Sequence, residues 1–96
     1  MNAGEKELLR HAVLECLAAR HPAALPTSGI VRRVKQELDC ALEVAEVGAA
    51  LEVLKDMALV RSQTDEFGSS LWWCATAAGV LRIERGSGAA PAPRRD

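Results

Sequence analysis

Two histidines and three cysteines are the side chains in this sequence with the widest chemical reach, and their spacing supports neither metal binding nor nucleophilic catalysis. His11 falls on a helix and His21 in a loop, with neither at ligand or triad spacing from Cys16, Cys40 or Cys74. Cys16 lies on an apolar helical stripe and reads as core. Cys40 falls in a turn, and Cys74 reads as outward-facing on a strand, so those two thiols are the accessible ones. The chain shows no Gly-rich phosphate loop and no pair of carboxylates suggesting a cleft. The expectation is a protein that is not an enzyme, with no catalytic residues, no metal and no cofactor.

Charged side chains give a clearer signal. Arg32, Arg33 and Lys35 sit close together against the single acid Glu37. Donors of this kind hold phosphate oxygens, while the plainer reading is a solvated helix face partly paired with nearby acids. A second segment carries Glu43, Glu46, Glu52 and Asp56 against Lys55 alone. Carboxylates only accept hydrogen bonds, and phosphate repels them. Over all 96 residues, 12 Lys and Arg face 13 Asp and Glu, a formal charge of −1, so any attraction for a polyanion must be local.

These groups need a scaffold, and the apolar pattern supplies one. Leu8, Leu9, Ala12, Val13, Cys16 and Leu17 form a helical stripe over 5–20. After Pro22 and Pro26, Thr27 or Ser28 is placed to cap a helix over about 28–38 that buries Ile30, Val31, Val34 and Leu38. A third helix begins near Glu43 or Val44 and turns Val44, Val47, Leu51 and Leu54 inward, with Leu42 and Val47 placed for a hydrophobic staple. Beyond Met57 the period changes: "LVRSQT" and "SLWWCA" are strand-like runs joined by "DEFG". Thr76 then caps a short helix, "AAGVLRIER". The expected division is a folded domain over 1–86 and a flexible Gly/Ala/Pro-rich tail over 87–96.

An odd number of widely spaced cysteines suits a reducing compartment. The first residues carry acids where a signal peptide needs bases, and charges interrupt their apolar runs. A cytoplasmic protein without membrane contact is expected.

The run "VGAALEVLKDMALV" resembles the recognition-helix signature of winged helix-turn-helix regulators, V-x-x-x-L-x-x-L-x-x-x-G-L-V. "WWCATAAGVLRIE" is similar to their second wing strand, followed by a Thr-capped helix containing T-x-x-G. The matches cover about 10–85. The resemblance implies a mainly α fold with a small β-hairpin wing (α+β): a three-helix core, a two-stranded wing and a short C-terminal helix. It also implies a small bacterial-type regulator that binds double-stranded DNA.

Three positions depart from the pattern. Ala58 stands where the family usually has Gly, which predicts a third helix ending without the left-handed cap that Gly permits. Glu46 and Ala49 stand where similar regulators often have Thr and Arg, which removes the usual donors from the third helix.

Adjacent Trp72 and Trp73 must point to opposite faces of a strand. Alignment with the wing pattern turns Leu71, Trp73 and Ala75 inward, and Trp72 and Cys74 outward. Two functions follow. In one, Arg32, Arg33, Lys35 and Arg61 hold DNA phosphates, mainly from the second helix, with weak sequence reading. In the other, a basic protein partner docks on the acidic third helix and wing through Glu46, Glu52, Trp72 and Phe67, and no DNA is bound. A homodimer is compatible with both.

Overall fold

The computed structural model describes residues 3–64, 67, 68 and 70–87. The tail beyond Ser87, with its Arg94 and Arg95, and Asp65, Glu66 and Ser69 of the expected wing turn lie outside them. The elements run α1 (Ala3–Ala18), β1 (Leu25–Pro26), α2 (Thr27–Leu38), α3 (Val44–Asp56), β2 (Val60–Thr64), β3 (Leu71–Ala75) and α4 (Ala77–Ser87). This is the order of helices and hairpin that the sequence predicts. One strand is additional: β1 pairs with β3, giving an antiparallel sheet ordered β1-β3-β2.

The core gathers where α1, α2 and α3 meet. Val13, Leu17, Ile30, Val34, Val47 and Leu51 are fully enclosed there. Each such side chain contributes roughly 1.5–3 kcal/mol of transfer free energy. Two expected faces need correction. Leu8 is 56% exposed, and Leu14 is buried in its stead. The reason is that α1 is covered by α2, α3 and α4, so its buried arc reaches round to Leu14, which lies against Gly79 of α4. Val44 is 58% exposed, because α3 turns Val47, Ala50, Leu51 and Leu54 into the core and its first residue falls off that arc.

The start of α2 also differs from expectation. Pro26 occupies the cap position, and no side chain caps the helix. Thr27 Oγ1 instead accepts the indole N–H of Trp73 at 2.9 Å, tying α2 to the middle strand. At the start of α3, Leu42 and Val47 are both buried, as a hydrophobic staple requires.

The exit from α3 reverses the expectation at Ala58. Its φ is +61°, the left-handed region, despite its Cβ. The Ala58 amide donates to the Lys55 carbonyl, and the Leu59 amide reaches back to the Leu54 carbonyl, each at 2.9 Å. Those two bonds make a Schellman motif, closed by the buried pair Leu54 and Leu59. Alanine therefore occupies the glycine position in the geometry glycine would take.

Candidate nucleic-acid interface

In a helix-turn-helix, α2 and α3 present the surfaces that can meet a duplex. The turn between them is set by Asp39, whose backbone is left-handed (φ 51°) at the end of α2, and by Glu43 at the start of α3.

On α2, Arg32, Arg33 and Lys35 all reach the surface, and among the described residues none of them makes a salt bridge. They do not form a single patch. Arg32 and Lys35 line a shallow open surface with Gln36, Asp39 and Cys40. Arg33 turns to the opposite flank, into a groove between α1 and α2 of about 600 Å³ that it shares with Arg20, Glu15 and Glu37. Cys16 borders that groove. Burial pushes its thiol above the ordinary value, and the nearby charges of Arg33 and Arg20 pull partly against that shift.

On α3, two acids serve the helix itself. The Glu43 amide donates to Glu46 Oε1 at 3.0 Å, closing the first turn. Carboxylates at this end also oppose the positive pole of the helix dipole. Glu46 is therefore half-buried and engaged, while Glu52 and Asp56 remain exposed beside Lys55. Ala45 and Ala49 add no polar group to the outer face.

On the sheet, Arg61 is paired in register with Cys74. Its Nε–H donates to Cys74 Sγ at 3.2 Å, which steers the exposed guanidinium across the sheet. Cys74 is 2% exposed, so the expected outward thiol is buried. Leu71, expected inward, is 46% exposed because β3 begins beyond the helices that cover Trp73 and Ala75. Trp72, expected outward, is half-buried beside Pro26 and Gln63, its strand neighbours. Its indole nitrogen is enclosed with no acceptor among the described residues. Phe67, near the wing tip, is 84% exposed. The candidate partner-binding residues are thus divided: Glu46 is engaged as a cap and Trp72 is largely covered, while Glu52 and Phe67 lie at the surface.

The histidines do no joint work here. His21 Nδ1–H donates to the Ala75 carbonyl at 3.0 Å, fastening the loop after α1 to the end of β3. Among the described residues no cluster of three His, Cys, Asp or Glu side chains is placed to hold a metal ion. Nor is any of their helices long and apolar enough to cross a membrane. Residues that sequence reasoning passed over are Arg10, Arg20 and Arg82, each lining a surface groove. Lys6 and Arg10, four apart on α1, carried a readable signal of a shared face.

No protein-family model matches the chain, and no curated protein sequence does. Solved structures do. A transcriptional regulator from Clostridium thermocellum, Cth-833, superposes with a TM-score of 0.73 at 11% identity, over 93% of this chain and 86% of that one. ZitR of Lactococcus lactis, in apo form, superposes at 0.67 with 19% identity, over 91% of this chain and 60% of its own. PadR of Bacillus subtilis, in complex with operator DNA, superposes at 0.69 with 18% identity, over 93% of this chain and 51% of its own. The chain thus spans between half and two thirds of ZitR and PadR. At these identities the likeness is one of fold: the chain has the winged-helix fold of transcriptional regulators.

Proposed function

We propose that this chain is a winged-helix DNA-binding module of regulator type that grips the phosphate backbone from α2 and reads sequence weakly. One observation carries the reading. Arg32 and Lys35 stand on one open face of α2 with no salt bridge among the described residues, although the acids of α3 follow closely in the chain. Cations in that position release counterions from a duplex whatever its sequence. The helix that would enter the groove offers Lys55 against Glu52 and Asp56, so it adds little base readout. Arg33, on the other flank of α2, and Arg61, exposed on the sheet, are secondary phosphate contacts in this reading. The presence of operator DNA in the PadR structure supports the same use of the fold.

The test is fluorescence anisotropy of the purified chain with a labelled mixed-sequence duplex, titrated from low to physiological salt. Binding that strengthens steeply as salt falls, and varies little among unrelated sequences, is expected. No binding at low salt overturns the reading.

A further inference from the structure

Two surface cavities, of about 280 and 390 Å³, meet along the seam between α1 and α3. Arg10 and Val53 line both, so the two cavities adjoin at those side chains and are treated together as one groove. Its volume is of the order that holds a small organic ligand. The α3 wall is apolar and low, built by Ala45, Ala49 and Val53. The other cavity is floored by Leu14, Leu54 and Leu59 and ends at Arg82 of α4.

Arg10 sits at the waist of the groove. It is half-buried, and among the described residues neither it nor Arg82 has a hydrogen-bond or ion-pair partner. A partly desolvated cation facing apolar walls is costly unless an anion answers it. Neither acid lining the groove forms an ion pair with Arg10 or Arg82 among the described residues. Glu46 is held by the Glu43 amide, and Glu7 is exposed at the rim with no ion pair to either arginine. Lys6 adds a further cation beside the apolar wall.

We propose that this groove binds a small monocarboxylate with an apolar body, its head held by Arg10 and Arg82 and its body lying over Ala45, Ala49 and Val53. A guanidinium receives a carboxylate through two parallel N–H bonds, which a neutral head group cannot reproduce. The body covers apolar surface that α3 otherwise leaves to water. A ligand so placed also touches Leu54 and Leu59, which close the turn at the end of α3.

The probes are octanoate and octanol, titrated into the full chain and followed by heteronuclear NMR. Octanoate is expected to shift the Ala45, Ala49 and Val53 amides saturably, and to bind about tenfold more tightly than octanol. Arg10→Gln is expected to remove that preference, and Arg82→Gln to reduce it. Ala49→Phe, which fills the apolar part, is expected to abolish binding of both probes. Thermal melts check that each variant folds, and the Arg82 variant carries the test should Arg10→Gln fail to. Equal affinity for acid and alcohol, shifts confined to other surfaces, or a dimer of this chain that covers the groove and excludes octanoate would each overturn the proposal.

Discussion

Thr76 Oγ1 donates to the carbonyl of Ala58 at 2.8 Å and accepts the Gly79 amide at 3.1 Å, so one hydroxyl holds both the exit of α3 and the entry of α4. The Thr76 amide adds a bond to the Leu59 carbonyl at 3.0 Å. These contacts explain the T-x-x-G spacing physically. Thr caps the helix, and Gly three residues on lets its first turn press against the Leu59 carbonyl. The position of α3, the element at issue in any duplex contact, is set in part by the residue that caps another helix.

Ala58 carries the strain of that turn. A left-handed residue with a Cβ costs about 1–2 kcal/mol, and replacing it by glycine relieves this strain while adding unfolded-chain entropy that offsets part of the gain. Ala58→Gly should therefore stabilise the protein by about 0.5–1 kcal/mol in urea unfolding. Ala58→Val should destabilise it, since β-branching worsens the left-handed conformation.

Gly79→Ala should be costly although alanine favours helices. Its Cβ would collide with the Leu59 carbonyl oxygen, a backbone atom that can move only with the turn itself. A loss of about 1–3 kcal/mol is expected from such overpacking, read by the same unfolding curves. Thr76→Ala should cost about 1–2 kcal/mol, and Thr76→Ser should recover most of it.

The cysteines should separate by reactivity. Cys40 is exposed, Cys16 half-buried and Cys74 buried. A thiol reagent such as DTNB should label Cys40 first. Cys16 should follow slowly, because burial holds its thiol neutral. Cys74 should react only on unfolding. The raised folded-state value of Cys16 also sets a sign for stability. The contribution is whole at pH values below the ordinary thiol ionisation. It declines as the pH rises from there towards the folded value, because the unfolded chain loses its proton first. Cys16→Ser should flatten that alkaline decline in pH-dependent denaturation.

Glu52 is an exposed acid on α3 with no cap to make. If α3 lies near phosphates, Glu52→Gln should tighten duplex binding about two- to threefold at physiological salt, and more at low salt. Glu46→Gln should instead show its main effect in stability, since its carboxylate closes the first turn of α3.

Much of this architecture can be read from residue types. Val47, Leu51 and Leu54 share one helical face, and a strand-like run follows them directly, which defines a helix feeding a hairpin. Thr76 announces its cap in the same way. What escaped is what depends on neighbours distant in sequence. The two residues of β1 have no period, and only Trp72 and Trp73 across the sheet make them a strand. Thr27 looks like a cap but serves an indole 46 residues away. Cys74 is buried where strand alternation alone would turn it outward, and Leu14 is buried because α4 returns to cover it. Within the candidate interface, the charges of α2 were legible. Their separation, with Arg32 and Lys35 on one flank and Arg33 on the other, follows from where α1 lies.

Whether α2 holds the duplex is tested most directly by the salt dependence of binding. Removing one phosphate-binding cation should lower the slope of log K against log salt by about one. The Arg32→Ala/Lys35→Ala double variant should therefore reduce that slope by about two, equally on unrelated sequences, while Lys55→Ala leaves it nearly unchanged. A full slope in the double variant, with binding abolished in Lys55→Ala, would contradict a grip from α2 and assign the duplex to α3.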